Sequence, residues 1–125
     1  MINHKRINQE VAMSSLTYIE KTQLEEMLGM VSGYVLDFSD RTYADFFRDA
    51  VKININDQKY SVNGASKAKR LRVFWNIESD PIVGKVVEQL LAVWLHKQPD
   101  RNKAATDQDY VSARKTVLRL SGKDL

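Results

Sequence analysis

The sequence predicts a mainly α-helical fold, a compact bundle of about five helices forming a single domain over residues 1–125. Apolar residues recur at intervals of three and four along most of the chain, the period of helices with one buried face. Several of these stretches follow a Ser, Thr or Asp, the residues that cap helix N-termini. A chain of 125 residues can bury a core of its own. It also has the length of an N-terminal domain of a longer protein.

The first predicted helix starts near Thr22, which stands three residues before Glu25 as in a capping box. Its apolar stripe consists of Leu24, Met27, Leu28 and Val31. Residues 33–39 are apolar and aromatic, and predict either a strand or a buried extended connector. Ser39 or Asp40 then caps a second helix, whose predicted core stripe is Tyr43, Phe46, Phe47, Ala50 and Val51.

The period of the sequence changes near residues 51–62. Ile53 and Ile55 alternate with polar residues, and Tyr60 and Val62 do so again after a short polar turn. This alternation predicts a short β-hairpin. An ordered loop is the alternative, because an isolated hairpin needs a surface to pack against.

Three further helices follow. Ser66 caps a helix that reaches about Glu78, and Asp80 with Pro81 opens the next, on which two apolar rows mark the most buried helix. A polar loop over residues 101–105 is expected before Thr106 or Asp107 caps the last helix. The aromatic residues predicted to lie in the core are Phe46, Phe47, Phe74, Trp75 and Trp94.

Composition excludes several function classes. The chain has no cysteine, so disulfides, thiolate metal sites and cysteine nucleophiles are impossible. The first ten residues are polar and do not form a signal peptide, and the longest apolar stretch, residues 82–95, is too short and too polar to span a bilayer. We therefore expect a cytoplasmic protein without a membrane partner.

Positive charge is concentrated in the second half of the chain. Residues 1–66 contain 7 Lys/Arg and 9 Asp/Glu, whereas residues 67–125 contain 12 and 7. The densest cluster is Lys67, Lys69, Arg70 and Arg72, within two turns of a predicted helix start. Backbone N–H groups and cations together suit a phosphate group, so these four residues are the candidate nucleic-acid site. Ordinary solvated helix surface is the alternative interpretation.

No catalytic motif is present. Neither His4 nor His96 has metal-ligand spacing, and no Gly-rich phosphate loop or nucleophile elbow occurs. Asp45 and Asp49 are four residues apart and could mimic an acid/base pair, but Arg41 and Arg48 are interleaved with the carboxylates of residues 37–49, which is typical of surface ion pairs. We therefore expect no catalytic residues, no metal and no cofactor.

Three segments together resemble a known family. Residues 33–47 (GYVLDFSDRTYADFF), 59–61 (KYS) and 64–75 (GASKAKRLRVFW) are similar, in this order, to the N-terminal domain of bacterial abortive-infection family proteins. The resemblance covers roughly residues 24–95. It implies a phage-defence context and no enzyme activity for this domain, which in such proteins precedes a helical C-terminal region.

The leading functional expectation is a non-catalytic recognition or adaptor module of a phage-defence protein. It would act through protein contacts, and self-association is the simplest case. The alternative is a nucleic-acid-binding domain that uses the basic helix, assisted by Lys85 or by Arg114, Lys115 and Arg119. A third interpretation is an unrecognised hydrolase that uses Asp37 or Asp45.

Overall fold

The computed structural model describes residues 13–123 and confirms a mainly α-helical fold. Between these limits the chain forms six helices and no β-strand. The helices are α1 (Tyr18–Met27), α2 (Asp40–Val51), α3 (Lys67–Ile77), α4 (Asp80–His96), α5 (Arg101–Ala104) and α6 (Gln108–Leu120). Two 3-10 turns, Met30–Ser32 and Gln58–Tyr60, lie in the connections after α1 and α2.

Helix α1 begins earlier than the sequence predicts. Its capping box is formed by Thr17 and Glu20, not by Thr22 and Glu25. The Glu20 amide donates to the Thr17 hydroxyl at 3.2 Å, and the Thr17 amide donates to the Glu20 carboxylate at 2.9 Å. Both pairs have the same spacing, but Leu16 is buried in the core, so the chain enters the helix directly after it.

The connection between α2 and α3 is an ordered loop, so the hairpin prediction was wrong and its alternative holds. Lys52 adopts a left-handed conformation (φ 59°) that ends α2, and Asp57 caps the second 3-10 turn. Ile55 and Tyr60 are fully buried, while Val62 is exposed. The loop therefore contributes individual buried side chains to the core of the bundle. A hairpin of two short strands with no further sheet to join would be only marginally stable.

The centre of the core is aromatic. Ring centroids of Tyr43 and Phe47 on α2 lie 5.1 Å apart, and Phe47 lies 5.1 Å from Phe74 on α3, both with edge-to-face geometry. Tyr60 reaches the same cluster from the loop, 5.8 Å from Phe74. Trp75 is fully buried as predicted, whereas Phe46 and Trp94 are only half-buried.

The remaining boundaries follow the sequence closely, except that Ser79 and not Asp80 is the N-cap of α4; Asp80 is the first residue of the helix, and its carboxylate accepts from Ser15. Ser39, Ser66 and Asp107 cap α2, α3 and α6 as predicted. Residues 33–39 form a connector and not a strand, and the predicted polar loop after α4 contains the one-turn helix α5. Helices α4 and α6 approach closely at Gly84, where a Cβ atom would stand 3.0 Å from the Cβ of Leu120.

Substitution of Tyr60 tests how much the loop between α2 and α3 contributes to the stability of the core. Tyr60→Ala should lower the free energy of unfolding by about 3–5 kcal/mol, because it removes a buried aromatic ring. Tyr60→Phe should cost about 1–3 kcal/mol, because Glu78 loses the hydroxyl that donates to it at 2.6 Å. Urea unfolding measures both values. The exposed Tyr34→Ala variant is the control, and an equal loss there would contradict the packing.

Candidate functional site

The start of α3 holds the four basic residues that the sequence predicts as a phosphate site. Two backbone N–H groups of its first turn are already bonded within the protein. The Ala68 amide donates to the Gly33 carbonyl at 3.0 Å, and the Lys69 amide donates to the Ser66 hydroxyl at 3.1 Å. An anion at this helix start would therefore compete with internal acceptors for these donors.

Lys67 is held between α2 and the connector that precedes it. Its ammonium nitrogen lies 3.0 Å from Asp40 and 5.5 Å from the ring centroid of Tyr34, and only 12% of the side chain is exposed. The hydrogen bond and the positive charge of Lys67 lower the pKa of Asp40. The Tyr43 hydroxyl also donates to the Lys67 carbonyl at 3.1 Å, so this end of α3 is fixed to α2.

The other three cations point to different neighbours. Arg72 pairs with Glu25 on α1 at 2.7 Å, and Arg70 donates to the side chain of Asn56 in the loop at 2.7 Å. Lys69 is exposed, with its aliphatic part lying over Gly64. The four side chains therefore have different partners, although Arg70 also lies near enough to Asp40, the partner of Lys67, to help lower its pKa.

The assisting cations of the sequence analysis are also engaged elsewhere. Arg119 pairs with Glu20 on α1 at 2.5 Å, and Arg114 lies 3.8 Å from Glu88 on α4. Lys85 and Lys115 are exposed.

The candidate catalytic carboxylates form surface ion pairs. Asp37 lies 3.0 Å from Lys97, and Asp45 lies 3.0 Å from Arg48 instead of pairing with Arg41.

Arg101 approaches Nδ1 of His96 at 3.1 Å, a contact that the sequence did not indicate. Within residues 13–123 there is no group of three acidic or histidine side chains that could hold a metal ion, and none of the helices could cross a membrane.

Several large apolar side chains are exposed, and sequence reasoning assigned one of them to the core. Val31 is 93% exposed, because α1 ends at Met27 and residue 31 lies on the 3-10 turn instead of on the helix stripe. The exposed set consists of Met13, Tyr18, Ile19, Val31, Tyr34, Val62, Ile77 and Leu118.

An open groove of about 430 Å³ separates α1 from α6. Its lining residues include Glu20 and Gln23 on α1 and Ser112, Lys115, Leu118 and Arg119 on α6. The Glu20 carboxylate accepts from Arg119 and from the Thr116 hydroxyl, the latter at 3.2 Å. The groove therefore contains the Glu20–Arg119 ion pair, and the apolar side chain of Leu118 also lines it.

Comparisons of the chain with protein-family models, with curated proteins and with solved structures found no match.

The pairing of Lys67 with Asp40 has a measurable consequence. The lowered pKa of Asp40 means that the pair stabilises the fold above the ordinary carboxyl pKa and loses this effect as the pH falls through the folded-state value. In a Lys67→Gln variant, the titration midpoint of Asp40, followed by carboxyl NMR shifts, should rise towards its ordinary value. Lys69→Gln is the matched control and should leave the midpoint unchanged. An unchanged midpoint in both variants would rule out the pairing.

Proposed function

We propose that this domain is a non-catalytic recognition module that works through protein contacts, with self-association as its simplest form. The observation that carries the proposal is the exposure of large apolar side chains beside an open groove between α1 and α6. Single exposed apolar residues are normal on protein surfaces. Here Leu118 lines the groove in which the side chains of Glu20 and Arg119 meet, and Ile19 is exposed on α1.

The pairing of the basic residues favours protein contacts over nucleic acid. A phosphate group that bound Lys67 or Arg72 would have to displace Asp40 or Glu25. Affinity for nucleic acid comes largely from cations that neutralise phosphates, so cations already paired with carboxylates contribute less. The proposed phage-defence setting and cytoplasmic location are supported by sequence features alone.

Nucleic-acid binding is the second candidate, and one observation favours it. Tyr34 is 57% exposed and its ring lies beside Lys67, at the start of the basic helix. An exposed aromatic ring next to a cation can stack a base while the cation contacts its phosphate. Lys69, which is exposed nearby on α3, would add a second cation.

Two measurements separate the candidates. Sedimentation equilibrium should show an average mass that rises with protein concentration and depends little on salt. Fluorescence anisotropy with labelled duplex DNA, single-stranded DNA and RNA should show no binding at near-physiological salt. A mass that stays monomeric at all concentrations would contradict self-association.

A Tyr34→Ala/Lys69→Glu variant is the control for the second candidate. Its side chains are exposed, so the fold should be retained. If the native chain binds nucleic acid, and this variant loses binding by a factor of ten or more, the second candidate replaces the first; stacking alone is worth about 1–3 kcal/mol per base.

A further inference from the structure

The groove between α1 and α6 has a geometry that is suited to one particular partner. Glu20 near the start of α1 contacts Thr116 and Arg119 near the end of α6, and Gln23 and Ser112 both line the groove further along. The two helices therefore run antiparallel and together form one surface, which we call the α1–α6 face.

The two helices of this face carry opposite charge. Helix α1 contains three acidic residues and one basic residue, whereas α6 contains three basic residues and one acidic residue. Glu20 and Arg119 neutralise each other within the face, and Glu25 is bonded to Arg72. Glu26 on α1 and Lys115 on α6 are exposed, and neither forms an ion pair among the described residues.

We propose that the α1–α6 face docks on the same face of a second copy of this chain, a proposal that rests on the proposed recognition function. A two-fold interface requires a surface that complements itself. A two-fold axis parallel to the helices would place α1 of each protomer opposite α6 of its partner. Because Arg114 and Arg119 are paired with Glu88 and Glu20 within each protomer, the complementary charges left for the interface are Glu26 of one protomer and Lys115 of the other.

Apolar side chains supply the centre of this interface. Ile19 is 63% exposed and Leu118 is 39% exposed, and the α1 stripe of Ile19, Gln23 and Glu26 has the spacing of one helix side. On α6, Lys115 and Leu118 are three residues apart and share a side. The two-fold arrangement buries this apolar surface and leaves the charged pairs at its rim, as in most protein interfaces.

The size of the α1–α6 face determines the expected affinity of the dimer. Helices of 10 and 13 residues are about 15 Å and 20 Å long, so the footprint is smaller than the roughly 800 Å² per partner of a standard interface. We therefore expect a weak dimer whose population rises with protein concentration, and not a permanent one.

Charge reversal tests the proposal on the full chain. Glu26→Lys and Lys115→Glu should each weaken dimerisation by about tenfold at low salt, because each change replaces two attractive pairs by repulsive ones. The double variant should restore the native dimerisation constant to within about threefold, because the pairs are re-formed with exchanged signs. Sedimentation equilibrium gives the constants, and thermal unfolding by circular dichroism verifies the fold of each variant.

Two further variants locate the interface. Leu118→Glu should abolish dimerisation over the accessible concentration range, because it places a charge at the apolar centre. Val31→Glu is the matched control, since Val31 is an exposed apolar residue on the 3-10 turn, and it should leave the constant unchanged. Loss of dimerisation in Val31→Glu, or no rescue in the double variant, would overturn the proposed face while leaving self-association intact. A native chain that stays monomeric would contradict both proposals.

Discussion

The structure depends on the burial of α3 on several sides. Ala68, Leu71, Phe74 and Trp75 face the main core, and Val73 on another side of the same helix is buried as well. Both ends of α3 are bonded to other parts of the chain, through the Gly33 carbonyl at its start and the Trp75 carbonyl, which accepts from Ser14, near its end. Only Lys69, Asn76 and Ile77 of this helix are exposed.

That enclosure decides what the basic residues of α3 can do. Their side chains leave the helix at the edges where other elements cover it, so each meets a different neighbour: Asp40 at the start of α2, Glu25 on α1 and Asn56 in the loop. Exposed and partly exposed ion pairs of this kind contribute little to the free energy of folding. Their main effect is on orientation, because each pair favours one placement of a neighbouring element against α3.

The sequence was sufficient wherever the decisive interactions are local. The cap Ser66 and the core positions of Phe74 and Trp75 were predicted, and Ser39 and Asp107 are each one of the two caps that the sequence offered. The start of α1 was not, because Thr17 with Glu20 and Thr22 with Glu25 have the same spacing. Distant contacts alone decide which of the two capping boxes forms. They are the burial of Leu16 and the bond of Glu20 to Arg119, which is 99 residues away. The partners of the basic residues could not be predicted for the same reason, since Arg72 and Glu25 are 47 residues apart.

Glu20 connects this long-range order to the α1–α6 face. One carboxylate accepts from the Thr17 amide, the Thr116 hydroxyl and the Arg119 guanidinium, so it caps α1 and bonds it to α6. Arg119 also donates to the Ser15 hydroxyl, which itself donates to Asp80 at the start of α4. Three helices are thereby held in one geometry before any partner arrives. A partner that docks on a surface already ordered by such bonds loses little affinity to ordering it, and the association we propose relies on this because the face of two short helices is small.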